Sequence, residues 1–280
     1  MSEHEGAGST APVLEAIGLR KEFGSLVAVD DVSFAIPPGR SLAIVGESGS
    51  GKTTIARMIV GLERPTSGTI TACGRDRSRP ARSARDRRRR GGEIQIVFQD
   101  PYTSLDPRQT AERAIDEILR LHHGWDADRR RARIEELTEL VGLDSRQARA
   151  LPKGLSGGQR QRVAIARALA AQPRVLVLDE SVAALDVSIQ AQVLNLLADI
   201  RDETAVSYVL ISHDLAVVRQ LTDDAIVMHR GQLVERGLTA QILDDPQHPY
   251  TRRLRASVPR PGWKPSRRQL VPADSEGEVR

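Results

Sequence analysis

The chain has 280 residues, 40% of them hydrophobic but only 3% aromatic, so one core with a smaller subdomain must be filled by aliphatic side chains. A single cysteine, Cys73, excludes a disulfide framework and any cysteine-rich zinc or iron–sulfur site, which suits a reducing cytosol. The net charge is +4, nearly all the positive charge being arginine, and no segment approaches the roughly 20 apolar residues of a membrane helix.

The N-terminus, Met1-Ser2-Glu3-His4-Glu5-Gly6, is polar and acidic, with no apolar stretch behind it of the kind a signal peptide carries. Residues 12–38 alternate as an antiparallel hairpin would, with Val27-Ala28-Val29 and 32–36 as strand pieces. Pro37-Pro38-Gly39 then turns the chain into the apolar run Leu42-Ala43-Ile44-Val45, which reads as a strand, and 54–62 reads as the helix beyond it. Between the two lies Gly46-Glu47-Ser48-Gly49-Ser50-Gly51-Lys52-Thr53, which fits G-x-x-x-x-G-K-[ST]. A strand, a glycine-rich loop and a helix in that order make a phosphate cradle. The glycines let backbone N–H groups turn onto an anion, and the helix start adds positive potential. Lys52 would reach the β- and γ-phosphates of a nucleotide, and Thr53 would place its hydroxyl on Mg²⁺.

Much of the arginine falls between Arg75 and Arg90, including Arg87-Arg88-Arg89-Arg90. A nucleic-acid surface would pair such a run with stacking aromatics. None falls inside it, so it reads as a solvated insertion between strands, and no nucleic acid is expected as partner. A short apolar run over 93–98 precedes a helical insert at about 100–171, where 111–121 and 127–141 carry helical spacing. Strands return at 174–178 and 207–211, and a last hairpin, 225–228 and 232–235, turns through Arg230-Gly231. From Asp245 on, prolines and charge increase and periodicity fades.

Two carboxylates, Asp179 and Glu180, close the buried strand 174–178. Bare carboxylates there are costly without a cation, so Asp179 reads as a Mg²⁺ partner. Glu180, one step further, can face a water aligned with the γ-phosphate as its general base. In the stretch Leu155-Ser156-Gly157-Gly158-Gln159, Ser156 caps a helix that starts with two glycines, a second place where N–H groups and helix dipole point at an anion. An ordinary glycine-rich cap would look the same. Phe23 suits either stacking on adenine or core packing.

That stretch, followed by Arg160-Gln161-Arg162-Val163-Ala164-Ile165-Ala166-Arg167-Ala168-Leu169, resembles the signature of ABC-type ATPases, and the resemblance covers about 14–259. It implies an α/β fold, a P-loop NTPase (RecA-like) core with an antiparallel β subdomain and an α-helical subdomain. The ABC ATP-binding domain would span 12–245 and a C-terminal extension 246–280. The implied ligands are ATP and Mg²⁺. By position His213, in Ile211-Ser212-His213-Asp214, resembles the switch histidine that hydrogen-bonds the γ-phosphate. Gln99 resembles the glutamine that touches Mg²⁺ and the attacking water; a solvent-facing loop amide is the lesser alternative, because Asp100-Pro101-Tyr102 follows it. With these the resemblance gives catalytic Glu180, His213 and Gln99. It gives nucleotide contacts at Gly46, Glu47, Ser48, Gly49, Ser50, Gly51, Lys52, Thr53 and Thr54, and metal contacts at Thr53, Gln99 and Asp179. Ser156, Gly158 and Gln159 would act on the nucleotide of a second subunit, because no arginine finger supplies positive potential at the γ-phosphate. Two chains would pair head to tail with two ATP molecules in the seams.

Finer stretches, 98–108, 184–194 and 245–251, resemble the ATP-binding subunits of oligopeptide and dipeptide importers, Tyr102 being more like the second of the paired ATPases. The implied partners are a second ATP-binding subunit, in a hetero- or homodimer, two transmembrane permease subunits and, indirectly, an extracytoplasmic solute-binding protein. The implied place is the cytoplasmic face of the cell membrane, peripherally. Two departures stand out. Ser181 replaces a proline and Ala183 a serine in a loop that normally crosses the dimer seam, and the tail lacks the iron–sulfur cysteines of some relatives. Coiled coils or zinc cysteines of DNA-repair ATPases, the second cassette of translation-associated ones, and the Asn-Lys-x-Asp motif of GTPases are not in the sequence. A regulatory ATP-binding module and an exporter remain as alternatives.

Overall fold

The computed structural model describes residues 11–98, 105–180 and 187–256. Strands β1 (Leu14–Phe23), β2 (Leu26–Ile36), β4 (Ser67–Ala72) and β5 (Arg75–Asp76) form an antiparallel sheet in the order β2-β1-β4-β5. A second sheet has the order β10-β9-β3-β8-β7-β6, built from β3 (Ser41–Val45), β6 (Ile94–Val97), β7 (Val175–Asp179), β8 (Ser207–Ser212), β9 (Asp224–His229) and β10 (Gln232–Leu238). Its neighbours are parallel except for the β9–β10 hairpin. Helices α1 (Lys52–Val60), α2 (Ala84–Glu93), α3 (Ala111–His122), α4 (Ala127–Leu140), α5 (Ser145–Ala148), α6 (Gly157–Ala170), α7 (Val187–Thr204), α8 (Leu215–Leu221), α9 (Thr239–Asp244) and α10 (Pro249–Ala256) surround them. This is the α/β P-loop architecture the resemblance implies.

Strand parity sorts the parallel sheet into two cores, because successive side chains leave a strand on opposite faces. Leu42, Ile44, Val175, Val177, Val209, Ile211, Ile226 and Met228 pack with Ile55, Met58 and Ile59 of α1 and with Leu14, Leu19, Ile36 and Ile70 of the antiparallel sheet. Their neighbours Ala43, Val45, Leu176, Leu178, Tyr208, Leu210, Ala225 and Val227 pack instead with α3, α4, α6, α7 and α8. Each fully buried aliphatic side chain here contributes about 1.5–3 kcal/mol relative to exposure. Parity also decides the site, since Asp179 leaves β7 on the same face as Val175 and Val177, toward α1.

Four expectations shift. The two strand pieces near Val27 and Val32 are one strand, interrupted by an irregular register around Asp31, whose φ of 52° breaks the alternation. Helix α1 starts two residues earlier than its periodicity indicates and ends before Gly61, whose φ of 81° forms the C-cap and leaves Leu62 exposed. The arginine run is only partly solvated. Residues 75–76 are a strand, α2 buries no residue, and the Arg77 guanidinium is buried in an ion pair with Glu93. Past Asp245, where periodicity fades, helix α10 still forms and buries Tyr250 and Thr251.

Candidate active site

The phosphate loop is wedged between the sheets. At Gly46 (φ 154°) an added Cβ would lie 2.3 Å from the Met228 carbonyl oxygen of β9, and at Gly51 (φ 104°) 2.5 Å from the Ala28 carbonyl oxygen of β2. Both contacts are with backbone, so only glycine fits there. The far side is held by Gly231 N–H, which donates to Ser50 O at 3.1 Å from the β9–β10 turn. Helix α1 begins at Lys52 with Gly51 as N-cap, no side-chain cap and no acid in its first turn. No side-chain cap therefore occupies its first N–H groups. Glu47, Ser48 and Gly49 form the exposed crest, Ser50 and Lys52 are buried, and Thr53 is exposed beside half-buried Thr54.

Charge is concentrated behind that crest. Lys52 Nζ donates to Glu47 O at 2.8 Å. Burial pulls the Lys52 ammonium below its ordinary pKa, while the carboxylates of Glu180, Asp179 and Glu47 push it back up. Asp179, only 7% exposed, is driven the other way. Burial raises its carboxyl above the usual range and Glu180 adds to this, against the opposing charges of Arg57 and Lys52 and a hydrogen bond from Thr53. Its Oδ1 is buried without a hydrogen-bond partner. A buried, orphaned carboxylate oxygen beside a hydroxyl is a hard oxygen set and fits Mg²⁺, whose remaining positions are ordinarily filled by phosphate and water.

Glu180 follows at φ 48°, an unfavourable conformation for a non-glycine residue, and its N–H donates to Ile211 O of β8 at 3.0 Å. The next strand end brings up His213, whose Nδ1 lies 3.4 Å from Glu180 Oε1 and whose side chain is 58% exposed. Asp214 caps α8 by accepting from Ala216 N–H, and Gln190 of α7 donates to it at 3.3 Å. Three separate segments, 46–53, 179–180 and 213, therefore converge through the parallel sheet.

The second glycine-rich stretch is a complete capping box. Ser156 Oγ accepts from Gln159 N–H at 3.2 Å, and Gln159 Oε1 accepts from Ser156 N–H at 2.8 Å. Ser156 is exposed and Gly158 is buried. A Cβ on Gly158 would meet Ile189 Cγ2 at 2.4 Å, so this glycine is explained by packing against α7 as well as by any anion contact.

Phe23 is 46% exposed, with Lys21 Nζ 4.7 Å from its ring centroid, which excludes the core-packing alternative. Gln99, Tyr102, Ser181 and Ala183 lie outside the described residues. Sequence reading missed Arg57, one helical turn from Thr53, and Tyr250, whose hydroxyl accepts from Glu47 N–H at 3.1 Å. Helical spacing from Thr53 could have pointed to Arg57. No local signal could have found Tyr250, which is 203 residues from Glu47.

A glycine cradle on a parallel sheet with a lysine and paired strand-end carboxylates defines a P-loop nucleotide hydrolase. The chain belongs to the ABC transporter family, as an ATP-binding, ATP-hydrolysing cassette: the family model described as "ABC transporter" matches residues 29–183. A second, described as "Oligopeptide/dipeptide transporter, C-terminal region", matches residues 234–278. A Brucella abortus (strain 2308) protein named for peptide import and ATP binding is 50% identical over 248 residues, covering 87% of this chain and 73% of the relative. The dipeptide transport ATP-binding protein DppF of Haemophilus influenzae is 44% identical over 259 residues, with 89% and 79% covered. Among solved structures, cbiO1 from Clostridium perfringens, part of the ABC transporter complex cbiONQ, superposes with a TM-score of 0.74 at 26% identity, covering 84% of this chain and 92% of that one. An ATP-binding cassette solved as a dimer in a post-hydrolysis state, bound to ADP and Pi, gives a TM-score of 0.72 at 29% identity, with 81% and 98% covered. Among the described residues no helix is long and apolar enough to cross a membrane.

Proposed function

We propose that this chain is the ATP-hydrolysing subunit of a peptide importer, working in a head-to-tail pair at the cytoplasmic face of the membrane on two permease subunits. The observation that carries this reading is the coexistence in one chain of a buried Lys52 and a buried Asp179 beside Glu180 and, on a separate helix, an exposed Ser156 cap. The first grips a triphosphate from one side. The second offers a hydroxyl and backbone N–H groups to the other side of a neighbour's nucleotide.

In this reading Lys52 leaves the Glu47 carbonyl for the β- and γ-phosphates, the amides of 46–54 surround the phosphates, and Phe23 stacks on adenine. Glu180 accepts the proton of the attacking water as its oxygen bonds to the γ-phosphorus and the bond to ADP breaks. His213 orients Glu180 and donates to the γ-phosphate. Thr53, Asp179 and Gln99 would hold Mg²⁺, which when bound would supply positive charge against the phosphates. Ser156, Gly158 and Gln159 of the facing subunit complete the site. Driving such a pair from mostly open to mostly closed takes roughly 5.5 kcal/mol of differential affinity. A few charge-assisted contacts at about 1.5–3 kcal/mol each supply it, and hydrolysis removes them.

Peptide cargo is supported by the named relatives and by the C-terminal match over 234–278. The test is purification from native membranes followed by reconstitution. Two permease chains should co-purify, and proteoliposomes should take up peptide only with hydrolysable ATP. ATP turnover without peptide movement, or ribosomes or DNA as the bound partner, would defeat the importer reading.

A further inference from the structure

Tyr250 sits outside every group that the reaction above uses, yet it touches the phosphate loop. Its ring is buried, 3% exposed, with its centroid 3.9 Å from that of His229 at the end of β9. Its oxygen accepts the Glu47 N–H at 3.1 Å. The Glu47 carbonyl on the next peptide accepts from Lys52 Nζ at 2.8 Å and from Ser50 N–H at 3.2 Å. Both peptide planes flanking Glu47 are therefore fixed, one from inside the loop and one from α10.

Helix α10 can serve as an anchor because it is itself tied down. The Glu235 carboxylate of β10 accepts from Gln247 N–H at 2.6 Å and from His248 N–H at 3.2 Å. Tyr250 N–H donates to His248 Nδ1 at 3.2 Å, and Arg255 reaches the Asp244 carbonyl at 2.8 Å. The path runs from β10 through the 247–248 turn to Tyr250, and from its hydroxyl to the Gly46–Glu47 peptide. At that peptide Gly46 is already pressed on Met228, so a small rotation is felt at the cradle. A tyrosine needed only for packing would be served equally by phenylalanine. Here the oxygen satisfies a part-buried amide that would otherwise lose its partner.

We propose that Tyr250 is a positioning residue for the phosphate loop, coupling nucleotide binding at 46–53 to the seating of the C-terminal helix. The proposal rests on nucleotide binding by that loop. Coupling is reciprocal, so nucleotide must also hold α10 in place. The test is titration of the full chain with a fluorescent ATP analogue and Mg²⁺, with hydrogen exchange of 249–256 read with and without nucleotide. Tyr250→Phe, which keeps the ring, should weaken nucleotide binding by about three- to tenfold while turnover at saturation changes less than about twofold. In the parent, nucleotide should slow exchange in α10, and Tyr250→Phe should abolish that slowing. Glu235→Gln, which loosens the 247–248 turn without touching the loop, should shift affinity in the same direction by less. Parent-like affinity in Tyr250→Phe, or α10 exchange indifferent to nucleotide in the parent, overturns the coupling. A parent that binds no nucleotide would instead overturn the loop's assignment.

Discussion

The phosphate loop and the start of α6 are both glycine-rich helix N-termini, but the chain builds them on different principles. Around the loop, two glycines press against backbone from both sheets, and Lys52 and Asp179 are buried with their pKa values pushed toward neutrality. Around Ser156 the cap is satisfied by its own Gln159, and the one tight glycine, Gly158, meets an isoleucine side chain. The first region holds an ammonium and a carboxyl that burial disfavours in their charged forms. The second is relaxed as it stands. On the proposed reading, the region that does chemistry is kept poised, whereas the one that would close over a neighbour's ligand needs only geometry.

Glu180→Gln draws the contrast most sharply. Hydrolysis should fall by about 10²–10⁴-fold with ATP still bound, leaving a closed pair visible by size-exclusion chromatography. Parent-rate phosphate release from that variant would remove Glu180 from the chemistry. Lys52→Met should lower turnover by roughly 10²–10³-fold, yet leave the melting temperature of the nucleotide-free chain no lower than the parent's, because a desolvated ammonium is gone. A large drop in melting temperature would mean that the Lys52–Glu47 bond, not the glycine wedge, shapes the loop.

Glycine replacements compare the two regions directly. Gly46→Ala forces a methyl onto a backbone carbonyl and should cost about 1–3 kcal/mol in urea unfolding. Gly158→Ala should cost less, because the Ile189 side chain can rotate away, and equal costs would contradict the distinction. A smaller effect concerns pH. Asp179 keeps its proton to higher pH in the folded chain than in the unfolded one. Its contribution is therefore whole below the ordinary carboxylate pKa and is lost as pH rises through the raised folded value. Asp179→Asn should then raise the melting temperature of the nucleotide-free chain at pH 8, with the gain shrinking toward pH 4. A constant difference across that range would deny the shift. Ser156→Ala should remove about 1 kcal/mol of helix capping, and it should weaken ATP-driven pairing more than ATP binding to the single chain. Equal weakening of both would place Ser156 in its own chain's site.

Much of the site was legible because its parts are local. The motif 46–53, the acids at 179–180 and the Ser156 helix cap each declare themselves within a few residues. The errors came where local pattern meets distant partners. Asp31 broke a strand's alternation without ending the strand, and Arg77 looked solvated until Glu93, 16 residues on, proved to bury it. Tyr250 lies 203 residues from Glu47, and only the fold put it on the loop.

The sequence by itself determined which groups are candidates for phosphate chemistry, because glycine freedom, a lysine's reach and strand-end carboxylates are properties of short segments. Tertiary structure alone decided their company: that Asp179 leaves β7 on the α1 side with a bare buried oxygen, that His213 meets Glu180, and that the C-terminal helix braces Glu47. Those facts depend on strand order and parity in a parallel sheet, which join residues far apart in the chain and leave no trace in the spacing of any one stretch.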